Sequence, residues 1–262
     1  MKLHTETFGS GPDVVLVHGW GLHGGIWAPV AERLARSCRV TLVDLPGHGR
    51  SPALSAESEV SEGTDVDAVA GTVAGDVSEA VPAGAVWVGW SLGGMVALAA
   101  ASRNACVGRL VLVGTNPHFV ADAGWPGMAP ELLAGFAEAL AADYQTTLSR
   151  FLALQTRGAE GARETLRELR DRVFSRGEPD PRALKAGLRI LAEADLRARL
   201  AGIALPALVI HGARDTLVPV EVAVRTAKQL GAELAVIEGA GHAPFLSHSE
   251  AFSARLEAFI HA

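Results

Sequence analysis

Short apolar runs alternate along this chain with longer stretches of helical periodicity. The runs at 14–18, 39–43, 85–89, 109–113, 207–211 and 234–237 predict strands, and 27–36, 66–80 and 220–230 between them predict helices. Apolar residues at consecutive rather than alternate positions belong to strands covered on both faces. The pattern therefore predicts an α/β fold, a mostly parallel central sheet flanked by helices. In such sheets ligand chemistry gathers at the carboxyl ends of the strands.

The alternation stops after Val113, and from about His118 to Lys185 no strand is predicted. Leu132-Leu133, Phe136 and Leu140, then Leu148, Phe151-Leu152 and Leu154, fall at helical spacing. Pro117, Pro126, Pro130, Pro179 and Pro181 punctuate the ends. This predicts a helical lid over 118–185 inserted into a core built from 1–117 and 186–262, with an Ala-Glu-Ser-rich surface loop at 53–64. No internal repeat or low-complexity tail is visible.

With 262 residues, 49% of them hydrophobic, the chain can bury one large core. A formal charge of −6 offers no basic footprint for nucleic acid. No apolar run approaches the roughly 18 residues of a membrane span, and Met1-Lys2-Leu3-His4-Thr5-Glu6 lacks a signal-peptide core. The two cysteines, Cys38 and Cys106, lack metal-ligand spacing and read as buried free thiols. A soluble cytoplasmic protein with no membrane partner is expected.

The chemistry centres on Gly89-Trp90-Ser91-Leu92-Gly93, between a predicted strand and a helix-forming stretch. A serine flanked by glycine at both −2 and +2 is a nucleophile elbow, a turn too tight for a Cβ at the flanking positions. A serine hydroxyl needs a general base, and the base needs an orienting carboxylate. Asp215 follows the run ending at His211, and His242 follows the last strand, so all three fall at one edge of the sheet. Ser91, Asp215 and His242 are thus the candidate catalytic triad. The backbone N–H groups of Leu92, after the serine, and Trp20, in the early loop His18-Gly19-Trp20-Gly21, are the candidate oxyanion donors. His18 reads as a structural residue shaping that loop. Asp44-Leu45-Pro46-Gly47-His48-Gly49-Arg50-Ser51 predicts a tight turn and matches neither a dinucleotide fingerprint nor a Walker loop. The remaining histidines, His4, His23, His118, His211, His248 and His261, show no metal-binding pattern, and His118 is expected in solvent. No metal site and no cofactor are expected.

Longer strings sharpen the picture. His18-Gly19-Trp20-Gly21-Leu22, Val43-Asp44-Leu45-Pro46-Gly47, Gly89-Trp90-Ser91-Leu92-Gly93-Gly94 and His242-Ala243-Pro244-Phe245 resemble the pimeloyl-acyl-carrier-protein methyl ester esterases of biotin synthesis, α/β hydrolases. So do two lid strings, Trp125-Pro126-Gly127 and Arg150-Phe151-Leu152-Ala153-Leu154-Gln155-Thr156. The resemblance implies hydrolysis of a methyl ester at the end of a pimeloyl chain borne by acyl carrier protein. It implies a substrate site lined by Trp20, Leu92, Phe151, Leu152, Ala153, Leu154 and Gln155 beside Ser91 and His242. It also implies carrier contacts at Arg150, Arg163 and Arg167; at Thr146 the family can carry a further arginine. Between 150 and 176 seven arginines stand against four acidic residues, about +3, and Arg163, Arg167 and Arg170 share one helical face. The same segment also suits ordinary helix-surface pairs, Glu164–Arg167 and Glu168–Arg172. A monomer is expected. The rival readings are a broad short-chain esterase, a C–C bond hydrolase of the same fold, and a non-catalytic receptor; a haloalkane dehalogenase is disfavoured because Ser91 stands where such enzymes use aspartate.

Overall fold

Strands β1 (Thr5–Phe8), β2 (Asp13–Val17), β3 (Arg39–Val43), β4 (Ala85–Trp90), β5 (Val107–Val113), β6 (Ala207–Gly212) and β7 (Glu233–Ile237) form one seven-stranded sheet in the order β1-β3-β2-β4-β5-β6-β7. The computed structural model describes residues 2–53, 66–103, 106–173 and 175–262. Strands β2 to β7 pair in parallel and correspond to the six predicted runs, with ends differing by two residues at most. Strand β1, antiparallel to β3, was not predicted. Its sequence, Thr-Glu-Thr-Phe, is mostly polar because a short edge strand buries little and needs no apolar face.

The helices are α1 (Ala28–Leu34), α2 (Val66–Ala80), α3 (Leu92–Ala101), α4 (Pro130–Ala142), α5 (Tyr144–Thr156), α6 (Ala162–Val173), α7 (Pro181–Glu193), α8 (Val220–Leu230), α9 (Pro244–Ser247) and α10 (Ser249–Ile260). Short 3-10 helices precede α1, at Gly24–Trp27, and β6, at Arg197–Gly202. Pro130 and Pro181 occupy first-turn positions of α4 and α7, where a missing N–H leaves no bond unmade. Every residue of α3 is buried, and its glycines and alanines let it press closely on the sheet.

Helices α4 to α7 make up the stretch in which no strand was predicted, and only isolated β-bridges interrupt it among the described residues. Helix α7 runs unbroken through Lys185 to Glu193, so a division at 185 falls inside one helix. The surface loop expected over 53–64 lies, apart from Ala53, outside the described residues. Both cysteines are free thiols, Cys38 buried and Cys106 half-buried. Among the described residues no helix is long and apolar enough to cross a membrane.

Candidate active site

The turn between β4 and α3 holds Ser91 at φ 55°, ψ −117°, backbone angles that non-glycine residues rarely adopt. The flanking glycines are sterically required. A Cβ at Gly89 would stand 2.4 Å from Gly93 O, and one at Gly93 would stand 2.5 Å from both Val17 O and His18 O. Ser91 N–H donates to Val113 O at 2.9 Å, which ties the elbow to the end of β5.

Asp215 and His242 come from the loops after β6 and β7, and the structure joins them. His242 Nδ1–H donates to Asp215 Oδ2 at 2.7 Å, with both side chains fully buried. Oδ1 of the same carboxylate accepts the backbone N–H groups of Leu217 and Val218, each at 2.9 Å. Burial works to raise the Asp215 pKa, but His242 beside it, by charge and by hydrogen bond, outweighs this, aided by His211 and Val218 N–H. The carboxyl titrates below its usual 3.8. Trp90, the residue before the serine, donates its indole N–H to His242 O at 2.8 Å and packs its ring 5.7 Å from the imidazole. Ser91 Oγ and His242 Nε2 are both buried and neither has a hydrogen-bond partner among the described residues. Such a pair of unsatisfied groups, one acid and one base, suits a proton-transfer site.

Trp20 lies in the turn after β2, and Leu92 is the first residue of α3. The Trp20 indole is buried, donates to Leu184 O of α7 at 2.9 Å, and meets Phe151 edge-on. Phe151, Leu152 and Gln155 are buried, while Ala153 and Leu154 are half-buried on the same helix. Gln155 O accepts His242 N–H at 3.2 Å, and its side-chain Oε1 is buried without a hydrogen-bond partner among the described residues. Arg150, Arg163 and Arg167 are exposed and form no salt bridge among the described residues. Of the two surface pairs anticipated, Glu168–Arg172 forms at 3.0 Å; Glu164–Arg167 does not form among the described residues.

His18 is fully buried, with Nδ1–H donating to Gly19 O at 2.8 Å and Nε2 accepting Leu45 N–H at 2.9 Å. Both nitrogens are committed, so it cannot serve as a base. The 44–51 segment turns tightly through Gly47 (φ 69°) and Gly49 (φ 54°). Asp44 within it accepts Gly24 N–H and Arg50 N–H and lies 3.6 Å from Arg176, just past α6. His118, expected in solvent, is instead only partly exposed; it contacts Ala194 O and Asp122, because α7 ends against it. No spacing pointed to Trp90 or His211 as supports. The available signal for His211 was a lone polar residue in an apolar strand, four positions before Asp215.

Four buried histidines share one constraint. His18, His23, His48 and His211 each donate one N–H to a backbone carbonyl: of Gly19, Arg172, Pro46 and Val218 respectively. A second proton would face a backbone N–H in His18 and His23, from Leu45 and Gly25, and would find no hydrogen-bond partner among the described residues in His48 and His211. Burial is the main cause that holds all four below the ordinary imidazole value of 6.5. The unfolded chain therefore binds more protons below that value. Unfolding free energy, measured by urea titration, is expected to hold above about pH 7 and to fall towards pH 5, by up to about 1.4 kcal/mol per pH unit for each proton taken up. A flat profile over that window would show these rings protonated in the folded state.

A family model of the alpha/beta hydrolase fold matches residues 12–249. The chain is 43% identical over 259 residues to a pimeloyl-(acyl-carrier protein) methyl ester esterase of Vibrio vulnificus (strain CMCP6), covering 98% of this chain and 97% of the relative. It is 45% identical over 262 residues to the protein of the same name from Methylococcus capsulatus (strain ATCC 33009 / NCIMB 11132 / Bath), covering 99% of each. Among solved structures, the esterase EaEST from Exiguobacterium antarcticum superposes with a TM-score of 0.84 over 99% of this chain and 96% of that one; at 24% identity this speaks to fold alone.

Proposed function

This chain belongs to the α/β-hydrolase fold family and, within it, to the pimeloyl-(acyl-carrier protein) methyl ester esterases, and on that premise we propose that it hydrolyses the methyl ester of a pimeloyl chain carried on acyl carrier protein. Ser91 Oγ attacks the ester carbonyl while His242 Nε2 takes its proton and Asp215 holds the imidazole by Nδ1–H. The N–H groups of Trp20 and Leu92 receive the oxyanion. As the adduct collapses His242 gives the proton to the departing oxygen, and methanol leaves. A water deprotonated by the same imidazole then attacks the acyl-serine, releasing the carboxylate and restoring Ser91. A terminal carboxylate suits the product to biotin synthesis.

One observation carries the substrate: the match to the relatives spans nearly the whole chain, lid as well as core. Phe151, Leu152 and Gln155, buried on α5, with Ala153 and Leu154 half-buried beside them, then wall the acyl site with Trp20 and Leu92. Acyl carrier protein is acidic, and the exposed Arg150, Arg163 and Arg167 are its proposed contacts. The enzyme acts in the cytoplasm, as a monomer and without a cofactor.

The test is growth without biotin in a strain lacking the esterase, with Ser91→Ala as control; failure of soluble wild-type protein to rescue would reject the substrate. Alongside it, Arg163→Glu with Arg167→Glu is expected to lower kcat/KM for the carrier-bound ester at least about tenfold while leaving a free methyl ester within about twofold. Equal losses on both substrates would mean that the arginines support the lid and not the carrier.

A further inference from the structure

Ser91 is 1% exposed, and Trp20 and Phe151 are fully buried. An ester on a long arm therefore reaches the hydroxyl only if a side chain moves, and a row of rings marks which. Trp20 meets Phe151 edge-on with centroids 4.8 Å apart, and Phe151 meets Phe136 edge-on at 5.5 Å. The innermost ring is fixed: its N–H is bonded to Leu184 O, and α7 lies so close that a Cβ on Gly187 would stand 2.6 Å from Trp20 Cδ1. The two phenyl rings have no polar group to tether them and are held by packing, which a rotamer change releases. Phe136 also lines a groove of about 230 Å³ between α4 and α5, together with Leu132, Ala139, Thr147, Arg150 and, as its one acidic side chain, Glu131.

We propose that this groove is the portal for the carrier's prosthetic arm, and that Phe136 and Phe151 are its gate, swinging against the fixed post of Trp20. The occupant is a flexible acyl-thioester arm with a phosphodiester at its protein end. Arg150, exposed at the groove and without a salt bridge among the described residues, suits the phosphodiester. Leu132, 44% exposed at the same groove, and Phe136 suit the chain. The identity of the occupant rests on the carrier reading; the route does not. One competing route is a groove of about 260 Å³ between α4 and α7, lined by Leu133, Ala137, Leu140 and Leu188 among others, none of which belongs to the ring row. Leu140 also lines a larger groove of about 690 Å³ beside it, and a further small cavity reaches Leu92 past Gly187 and Ile190.

Access is measured by labelling Ser91 of the intact protein with a fluorophosphonate bearing a long polyether tail, a probe that needs no carrier. Phe136→Trp, which plugs the portal, is expected to slow labelling at least about tenfold. Phe136→Ala is expected to speed it, and Leu140→Trp, the matched plug in the other groove, to leave it unchanged. Opposite signs from the two Phe136 variants keep the test decisive should the larger side chain disturb folding. Slowing by Leu140→Trp, alone or together with Phe136→Trp, or by neither plug, overturns the route. If labelling follows the expected pattern while wild-type protein leaves the carrier-bound ester intact, the route stands and the substrate assignment falls.

Discussion

Ser91→Ala is expected to lower hydrolysis of the pimeloyl methyl ester by about 10,000-fold or more, on carrier-bound and free ester alike, with the urea midpoint unchanged. The loss is large because the covalent route has no substitute: the neighbouring hydroxyl, that of Thr115, is committed to Val113 O and Gly89 O. It stops short of the uncatalysed rate because the proposed oxyanion donors and acyl site survive the change. Stability should hold for a reason visible in the structure. Ser91 Oγ makes no hydrogen bond among the described residues, so its removal leaves no buried partner unsatisfied. Alanine keeps the Cβ that already tolerates φ 55° at this turn. A receptor built on this scaffold would behave differently, keeping its physiological output without the hydroxyl. A variant within tenfold of wild type on either ester would remove Ser91 from the chemistry.

The elbow was legible because steric exclusion writes itself into sequence: only glycine fits where Gly89 and Gly93 meet backbone at 2.4 and 2.5 Å. Strands β2 to β6 were legible because cover on both faces demands unbroken apolar runs, as in Val14–Val17 and Leu110–Val113. Strand β7, at the sheet edge with Leu234 and Val236 exposed, was legible from its apolar run alone. Thr5–Phe8 was not, since an edge strand is specified by its partner β3 and its own residues carry little signal. The pairing of Asp215 with His242 followed from order and position along the strands. The closure of the site did not. Trp20, Phe136 and Phe151 lie on three separate elements, and each reads alone as a core aromatic; only the fold brings them into one row. The environment of His118 was hidden for the same reason, because Ala194 reaches it from far along the chain.

Asp215→Asn tests a subtler point, the proton held on Nδ1 of His242. The carboxylate divides its work: Oδ1 accepts Leu217 N–H and Val218 N–H, and Oδ2 accepts His242 Nδ1–H. An asparagine must keep its carbonyl towards the two backbone donors, since an amide NH₂ there would face hydrogens on both sides. Its NH₂ then turns to His242, where it requires a lone pair on Nδ1. The ring proton moves to Nε2, towards Ser91, and the imidazole can no longer accept the serine's proton. The expected result is a fall in kcat of about 10,000-fold near neutral pH, with KM and the unfolding midpoint little changed. Because the wild-type carboxyl titrates below 3.8, it stays ionised across about pH 5 to 8 and contributes no limb to the wild-type pH–rate profile there. An asparagine variant within tenfold of wild type would mean that His242 keeps Nδ1–H without a carboxylate, and the path of the proton from Ser91 would have to be drawn through another group.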